Sequence, residues 1–258
     1  MDSDAPSTDA TTGLRRAGCW RRWLATLIDG IVVMLPFQIL AAILFSATAG
    51  MIQMDNGFFS SCMTGTTIPK GLFPPPPHDS NAIRVCKISF FGAPTGATLS
   101  VARVARDGGA TTTVSQTYML DNDGAPVPGR SIDWIYHLAF VGYLVVMIWK
   151  RGRTLGSRVV KVKVIDTANP GAAGVPLSKT IVRYLAMMIG AVPALALLIY
   201  QRIAVGGTAD AMFTSSFFQW FGYAAVLGGL WALVLIIQVA MKRDPVYDRL
   251  AGTAVVRS

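Results

Sequence analysis

The sequence contains no glutamate and few other groups that carry out catalysis. All 14 acidic residues are aspartates, and the histidines among the 258 residues are His78 and His137. Paired glutamates, a nucleophile motif, a phosphate-binding loop and a spaced set of metal ligands are missing from the sequence, and these are the usual marks of a catalytic site. We therefore expect the protein not to be an enzyme and to hold neither a cofactor nor a metal ion.

Charge is also scarce, and long apolar runs take its place. Charged residues make up 14% of the chain, against about 25% in ordinary soluble domains, and the mean hydropathy is +0.47. Apolar runs cover about 23–45, 132–149, 181–200 and 216–241. Each approaches the roughly 20 residues that a helix needs to cross a bilayer. The composition excludes an ordinary soluble domain and predicts four membrane spans.

The first apolar run follows arginines and resembles a signal peptide in that respect. The apolar region of a signal peptide is about 7–15 residues long, whereas this run is longer and carries Asp29 in its interior. We therefore expect it to remain as a span. A carboxylate there costs about 2.5–3.5 kcal/mol on insertion scales, so Asp29 needs a partner, a proton or a function.

Lysine and arginine are concentrated on one side of the predicted spans. Of the 23 basic residues, 16 lie in the N-terminal arm, in residues 150–183 and in the tail after Met241. The positive-inside rule places such segments in the cytoplasm. We predict that both termini are cytoplasmic, that residues 1–20 form a disordered arm, and that residues 51–131 lie outside the cytoplasm. The net charge of +9 follows from this topology, and because no pattern typical of nucleic-acid binding accompanies it, we expect no nucleic-acid partner.

Residues 51–131 are too long for a simple loop between two spans. Apolar and β-branched runs at 82–91, 97–106 and 110–120 are separated by turn signals at 92–96 and 107–109. Such punctuation is typical of consecutive antiparallel strands. We predict a β-rich insertion with a three-stranded meander.

Two of the three cysteines, Cys62 and Cys86, belong to this insertion. Outside the cytoplasm a disulfide persists, and it would support a small β-unit that has little core of its own. We hypothesise a disulfide between Cys62 and Cys86. The alternative is two unpaired thiols in short strands.

A second β-signal occurs in the basic segment between the second and third spans. Valine and lysine alternate over residues 160–164, which favours a strand with one apolar and one basic face. Residues 252–256 also have strand character, so the two segments are predicted to pair at the membrane surface. Their basic residues would meet anionic headgroups of the lipid bilayer there. The alternative is a solvated charged loop.

Three separated blocks of the sequence resemble the RDD family of bacterial membrane proteins. Residues 22–29 contain an arginine at the start of the first helix and an aspartate within it, residues 154–166 precede the next span with Arg183 following, and residues 247–256 contain a C-terminal aspartate. Tyr247 occupies the position before that aspartate where many members have histidine. Residues 51–131 are far longer than the corresponding loop of typical members.

The resemblance implies an RDD-like membrane domain over residues 21–258, located in the bacterial inner (cytoplasmic) membrane as a multi-pass protein. The expected fold class is all-α transmembrane: a four-helix membrane bundle with a small extracytoplasmic β-rich insertion and a short cytoplasmic β-pair. Transport of ions or small solutes has been suggested for some members of the family.

The charged residues of these blocks are predicted to meet. Arg22 and Asp29 are seven residues apart, so they share a helix face about 10 Å apart along the axis. Arg183 enters the third span from the same side, and we expect it to reach Asp29. Asp248 follows the fourth span, and we expect it to meet Arg22. We therefore predict a charge cluster of Arg22, Asp29, Arg183 and Asp248 on the cytoplasmic side.

Two functions fit this cluster. In one, the bundle, as a homo-oligomer, moves an ion or small solute past Asp29, because ionisable groups inside membranes are candidates for function. In the other, the cluster only joins helices, and a non-transporting envelope protein presents residues 51–131 to an unknown extracytoplasmic partner for interaction or assembly. Replacement of Asp29 by asparagine distinguishes the two functions.

Overall fold

A computed structural model of the chain describes residues 15–107, 110–205, 215–241 and 243–257. In chain order, the elements are α1 (Cys19–Ala47), β1 (Ile52–Gln53), β2 (Phe59–Thr64), β3 (Ala82–Phe90), β4 (Ala93–Asp107), β5 (Ala110–Leu120), β6 (Pro126–Val127), β7 (Arg130–Ser131), α2 (Asp133–Arg151), α3 (Leu155–Val159), β8 (Val162–Asp166), α4 (Leu177–Met188), a 3₁₀ turn (Ile189–Ala191), α5 (Val192–Val205), α6 (Ser215–Ala240), α7 (Val246–Ala251) and β9 (Thr253–Arg257). The chain divides into two compact units, Met1–Asp29 with Gly142–Ser258, and Gly30–Val141.

Three helical stretches among the described residues are long and apolar enough to cross a membrane. They are Cys19–Ala47, Leu177–Gln201 and Ser216–Ala240, and they contain three of the four predicted spans. The fourth prediction, residues 132–149, falls on α2, which is helical but is not one of the three. Asp133 lies at its start and Lys150 and Arg151 at its end, and these charges lower its hydropathy. The chain is therefore a membrane protein, and the four-helix bundle stays a prediction.

The unit Gly30–Val141 contains a five-stranded antiparallel sheet in the order β2-β3-β4-β5-β6. Strands β3, β4 and β5 coincide with the three predicted runs, and β2 and β6 extend the sheet at its edges. Phe45 from the last turns of α1 packs with Leu99, Val101 and Tyr118 of the sheet in one buried cluster. About 24% of the described residues are strand, so the fold combines apolar helices with sheet rather than being all-α.

Two features hold this sheet in place. A disulfide joins Cys62 of β2 to Cys86 of β3, and the two residues are direct cross-strand partners. The buried amide of Gln53 donates to the carbonyl oxygens of Gly50 and Leu120 at 2.6 and 2.7 Å and accepts from the N–H of Ala97 at 2.9 Å. Because both ends of this amide are bonded, it fixes β1 against the sheet without an unsatisfied polar group.

The other unit contains the pair β8–β9, which is antiparallel and matches the predicted pairing of these two segments. Residues 15–17 run beside β9, with the N–H of Ala17 donating to the carbonyl of Val255 at 3.0 Å. Residues 1–14 of the predicted N-terminal arm lie outside the described residues. In β8, Val162 and Val164 are buried and Lys163 between them is partly buried. The Lys163 Nζ atom donates to the carbonyl of Ala172 at 2.9 Å.

Candidate functional site: a buried ionic cluster

Asp248 is the centre of the charge cluster. It lies in the first turn of α7, a short helix that begins after Pro245 and ends at Gly252, which has φ +61°. A left-handed residue at this position is a common way to end a helix, and glycine adopts it without steric cost. This turn sends the chain from α7 directly into β9. The Asp248 side chain is consequently held at a fully buried position, with 0% of its surface exposed.

Two arginines form salt bridges with this buried carboxylate, and a hydroxyl group donates a hydrogen bond to it. Arg22 of α1 donates to Asp248 at 3.0 Å, Arg183 of α4 forms a salt bridge with its other oxygen, and the Thr253 hydroxyl donates to it at 3.0 Å. Arg22 also donates to the Tyr247 hydroxyl at 3.3 Å, and the Arg183 guanidinium lies 5.0 Å from the centre of the Tyr247 ring. Asp248 therefore joins α1, α4 and α7 through charge-assisted bonds, which are the stronger class of hydrogen bond.

Asp29 has a separate set of partners. Its carboxylate accepts hydrogen bonds from the Tyr143 hydroxyl at 2.8 Å, the Thr154 hydroxyl at 2.5 Å and the backbone N–H of Gly156 at 2.7 Å. Only 2% of Asp29 is exposed. All three partners are hydrogen-bond donors, and they come from α2 and from the start of α3.

The start of α3 is built to receive this carboxylate. Thr154 is the N-cap residue, and its hydroxyl accepts from the N–H of Ser157 at 3.1 Å while donating to Asp29. The first N–H groups of a helix have no partner within the helix, and Asp29 supplies an acceptor for one of them. A Cβ atom on Gly156 would lie 2.1 Å from the carbonyl oxygen of Ala25 and 3.0 Å from Cγ of Asp29. Only glycine permits this close approach of α3 to α1.

The predicted four-charge cluster is thus divided into two groups. Arg22 pairs with Asp248, as the sequence predicts, and Arg183 pairs with Asp248 too. Within the described residues, no salt bridge joins Asp29 to either arginine. The prediction that Arg183 pairs with Asp29 is therefore wrong. Asp29 is bonded instead by the hydroxyl groups of Tyr143 and Thr154 and by the backbone N–H of Gly156.

Both groups border one small cavity. Its volume is about 170 Å³, and its lining includes Arg22, Asp29 and Arg183 together with Arg153 and Tyr184. Apolar residues from α1, α2 and β8 complete the wall. The cavity therefore places three of the four predicted site residues, Arg22, Asp29 and Arg183, around a common space, although they do not form one bonded network.

Sequence reasoning missed the partners of Asp29. Tyr143 lies in the predicted second span without any distinguishing pattern, and Thr154 and Gly156 belong to the second family-like block without an assigned role. One usable signal was present, because a threonine just before a helix is a typical N-cap. The carboxylate of Asp29, which accepts from Thr154 and Gly156, is more than a hundred residues away in the sequence. No local sequence pattern connects it with these donors.

The fold and the site define a class: a membrane protein with three apolar helices, a separate β-sheet and a buried ionic cluster that joins short elements to those helices. No protein-family model, curated protein or solved structure matches the chain.

Proposed function

We propose that this protein is an RDD-type integral membrane protein of the bacterial inner membrane, with both termini cytoplasmic, whose charge cluster locks the helices together while its 51–131 insertion associates with a second copy of the chain. The family resemblance supports the first part. Its three blocks contribute Arg22 and Asp29, Thr154 and Gly156, and Asp248, which are the residues that hold the ionic cluster. A shared structural role explains why these separated blocks occur together.

The observation that carries the locking role is that both carboxylate oxygens of Asp29 accept hydrogen bonds from other parts of the protein. A transport site that binds a cation or a proton needs a free carboxylate oxygen in at least one state. Here Oδ1 accepts from Tyr143 and Gly156, and Oδ2 accepts from Thr154. Removing a partner from such a buried charged network is strongly destabilising, because the remaining groups stay buried and unpaired.

The insertion supplies the surface for association. Phe58, Phe59 and Phe91 are 41%, 53% and 74% exposed. The Phe59 ring packs against Phe91, and the rings of Phe58 and Phe91 both pack against Phe90. Exposed apolar patches of this kind mark interaction sites. The patch lies at the β2 edge of the sheet and at the β3–β4 turn.

Strand β2 is suited to antiparallel pairing with β2 of a second copy of the chain. It is an edge strand and contains no charged residue, so it lacks the usual protection against pairing with another strand. An antiparallel pair centred on Ser61 would set Phe59 opposite Met63 of the second copy, and both side chains are more than half exposed. A two-fold axis makes such an interface self-complementary.

Asp29→Asn tests the lock against a transport role. An asparagine amide offers one acceptor oxygen and places an NH₂ group against donors, so the variant should lose about 3 kcal/mol of stability. We expect aggregation or a broadened profile in size-exclusion chromatography and a lowered melting temperature. Asp123→Asn, on an exposed turn, is the matched control and should behave like the wild type.

Transport is the second candidate function, and one observation favours it: a cavity of about 170 Å³ lies directly beside Asp29. Proteoliposome flux, measured across cations, anions and pH, decides between the two. Flux by the wild type together with a folded, inactive Asp29→Asn variant would establish transport and overturn the locking role. A misassembled variant and a flux-free wild type would support the lock.

A further inference from the structure

A cavity beside the link between α6 and α7 is lined by polar and charged residues. They are Arg16, Gln238, Arg243, Asp244 and Arg249. The three arginines come from separate segments, since Arg16 lies beside β9, Arg243 follows α6 and Arg249 belongs to α7. The fold therefore brings together three guanidinium groups that are not neighbours in one basic run of the sequence.

This cavity has more positive than negative charge. Asp244 is the one carboxylate among the described residues that line it, and it forms a salt bridge with Arg16 at 2.8 Å. Within the described part of the chain, no salt bridge joins Arg243 or Arg249 to a carboxylate. Both of these arginines are exposed, so a ligand can approach them from outside. Two positive charges are therefore available to an anionic group.

The cavity lies at the end of an apolar helix. Gln238 belongs to the last turn of α6, which ends at Ala240 and is long and apolar enough to cross a membrane. Ile236, Ile237 and Met241 are 56%, 47% and 56% exposed, so apolar side chains are accessible next to the basic site. Basic residues at the end of a span lie at the level of the lipid headgroups, and its exposed apolar residues face the hydrocarbon.

The chemistry of a phospholipid matches both of these surfaces. A guanidinium presents several N–H donors in a planar fork that fits the oxygens of a phosphate group. An anionic phospholipid carries this phosphate and acyl chains in one molecule. It can therefore occupy the arginines and the exposed apolar side of α6 together, whereas a soluble phosphate can occupy only the arginines.

We infer that this cavity is a binding site for the phosphate group of an anionic phospholipid, with Arg243 and Arg249 as its principal donors and Arg16 as a third positive charge. The acyl chains lie along the exposed apolar side of α6. The inference depends on α6 being a membrane span. It depends neither on the locking role of the charge cluster nor on association through β2.

The test measures the melting temperature of the purified full-length protein in a neutral detergent at constant ionic strength. Phosphatidylglycerol or phosphatidylcholine with the same acyl chains is added stepwise, and sodium phosphate is added in a separate series. We expect a saturable rise in melting temperature with phosphatidylglycerol alone. An equal rise with phosphatidylcholine would overturn the inference, and saturation by sodium phosphate at the same concentration would show a site for free phosphate instead of a lipid.

The double variant Arg243→Gln with Arg249→Gln locates the site. Its half-saturating phosphatidylglycerol concentration should be about thirtyfold higher than that of the wild type, the loss typical of two basic contacts with an anionic headgroup. Each shift is measured from the variant's own melting temperature without lipid, so that a change in intrinsic stability does not count as lost binding.

Arg151→Gln with Arg158→Gln is the matched control. These two arginines are also exposed, they do not line the cavity, and their replacement removes the same net charge. The half-saturating concentration of this variant should stay within about twofold of the wild-type value. Equal losses in the two double variants would show a general charge effect and would refute the site.

Discussion

At the scale of single residues, the bonding of this site depends on side chains that are small or absent. Gly156 lets α3 come so close to α1 that its N–H reaches Asp29 at 2.7 Å. The atom that a Cβ would strike first is the backbone carbonyl oxygen of Ala25, at 2.1 Å, and backbone cannot move aside as a flexible side chain can. The charge of Asp29 is therefore satisfied by the geometry of the backbone as much as by the chemistry of its partners.

Gly156→Ala should disrupt this contact. Either α3 moves away and the bond to Asp29 is lost, or α1 is displaced, and both outcomes correspond to overpacking that costs about 1–3 kcal/mol. Thermal unfolding should show a lowered melting temperature. Gly142→Ala is the matched control, because its Cβ would meet nothing within 4 Å and alanine favours the helix of α2. Equal stability of the two variants would show that α3 does not need its close approach to α1.

At the scale of elements, a further ion pair connects the β8–β9 pair to a helix. Lys179 in the first turn of α4 lies 2.5 Å from Asp166 at the end of β8. Burial acts to raise the pKa of Asp166, but the hydrogen bond and positive charge of Lys179, helped by the N–H of Ala168, hold the pKa of this carboxyl below its ordinary value of 3.8. The ion pair thus fixes the start of α4, and with it the direction in which Arg183 reaches Asp248.

The lowered pKa of Asp166 predicts how stability changes with pH. Because the carboxyl binds its proton more weakly in the folded protein, its stabilisation is present above the unfolded pKa of about 3.9 and is lost as pH falls through the lower folded pKa. Asp166→Asn should lower stability at pH 7 by about 1–2 kcal/mol, a value reduced by the partial exposure of Lys179. The difference in melting temperature from the wild type should shrink as the pH falls below about 4.

Melting curves of the wild type and Asp166→Asn between pH 3 and pH 8 measure this dependence. Asp79→Asn, on an exposed turn, provides the comparison and should show no such pH-dependent gap. A constant difference between the wild type and Asp166→Asn across the whole range would contradict an ionic origin.

Much of the secondary structure could be predicted from the sequence. The runs at 82–91, 97–106 and 110–120 became β3, β4 and β5, because alternation and turn residues act locally. Strand β2 was not predicted, since Phe59–Thr64 is short, exposed and stabilised by pairing with β3. The charged residues were also predicted only in part. Arg22 and Asp248 were predicted to pair, while the partners of Asp29 were not predicted because no short-range pattern encodes them.

At the scale of the whole molecule, the proposed association through β2 predicts a dimer. Met63→Lys puts a charge on the exposed side of this edge strand, and desolvating that charge against an apolar partner should weaken dimerisation at least about tenfold, or about 1.4 kcal/mol. Light scattering coupled to size-exclusion chromatography, corrected for bound detergent, measures the mass of the protein. The wild type should elute as a dimer and the variant as a monomer.

Met51→Lys is the matched control for the dimer. Met51 is 50% exposed, against 59% for Met63, and it lies outside β2, so this variant should remain dimeric. A wild type that is monomeric at micromolar concentration, or a Met63→Lys variant that keeps the wild-type mass, would exclude the β2 interface.

The sequence by itself determined the apolar helices, the central strands of the insertion and the set of charged residues that had to be neutralised. These properties follow from hydropathy, alternation and turn residues, which act over a few neighbours. Only the tertiary structure decided which donors neutralise each aspartate. Asp29 bonds to residues 114, 125 and 127 positions away in the chain, and such pairings arise from the packing of α1 against α2 and α3.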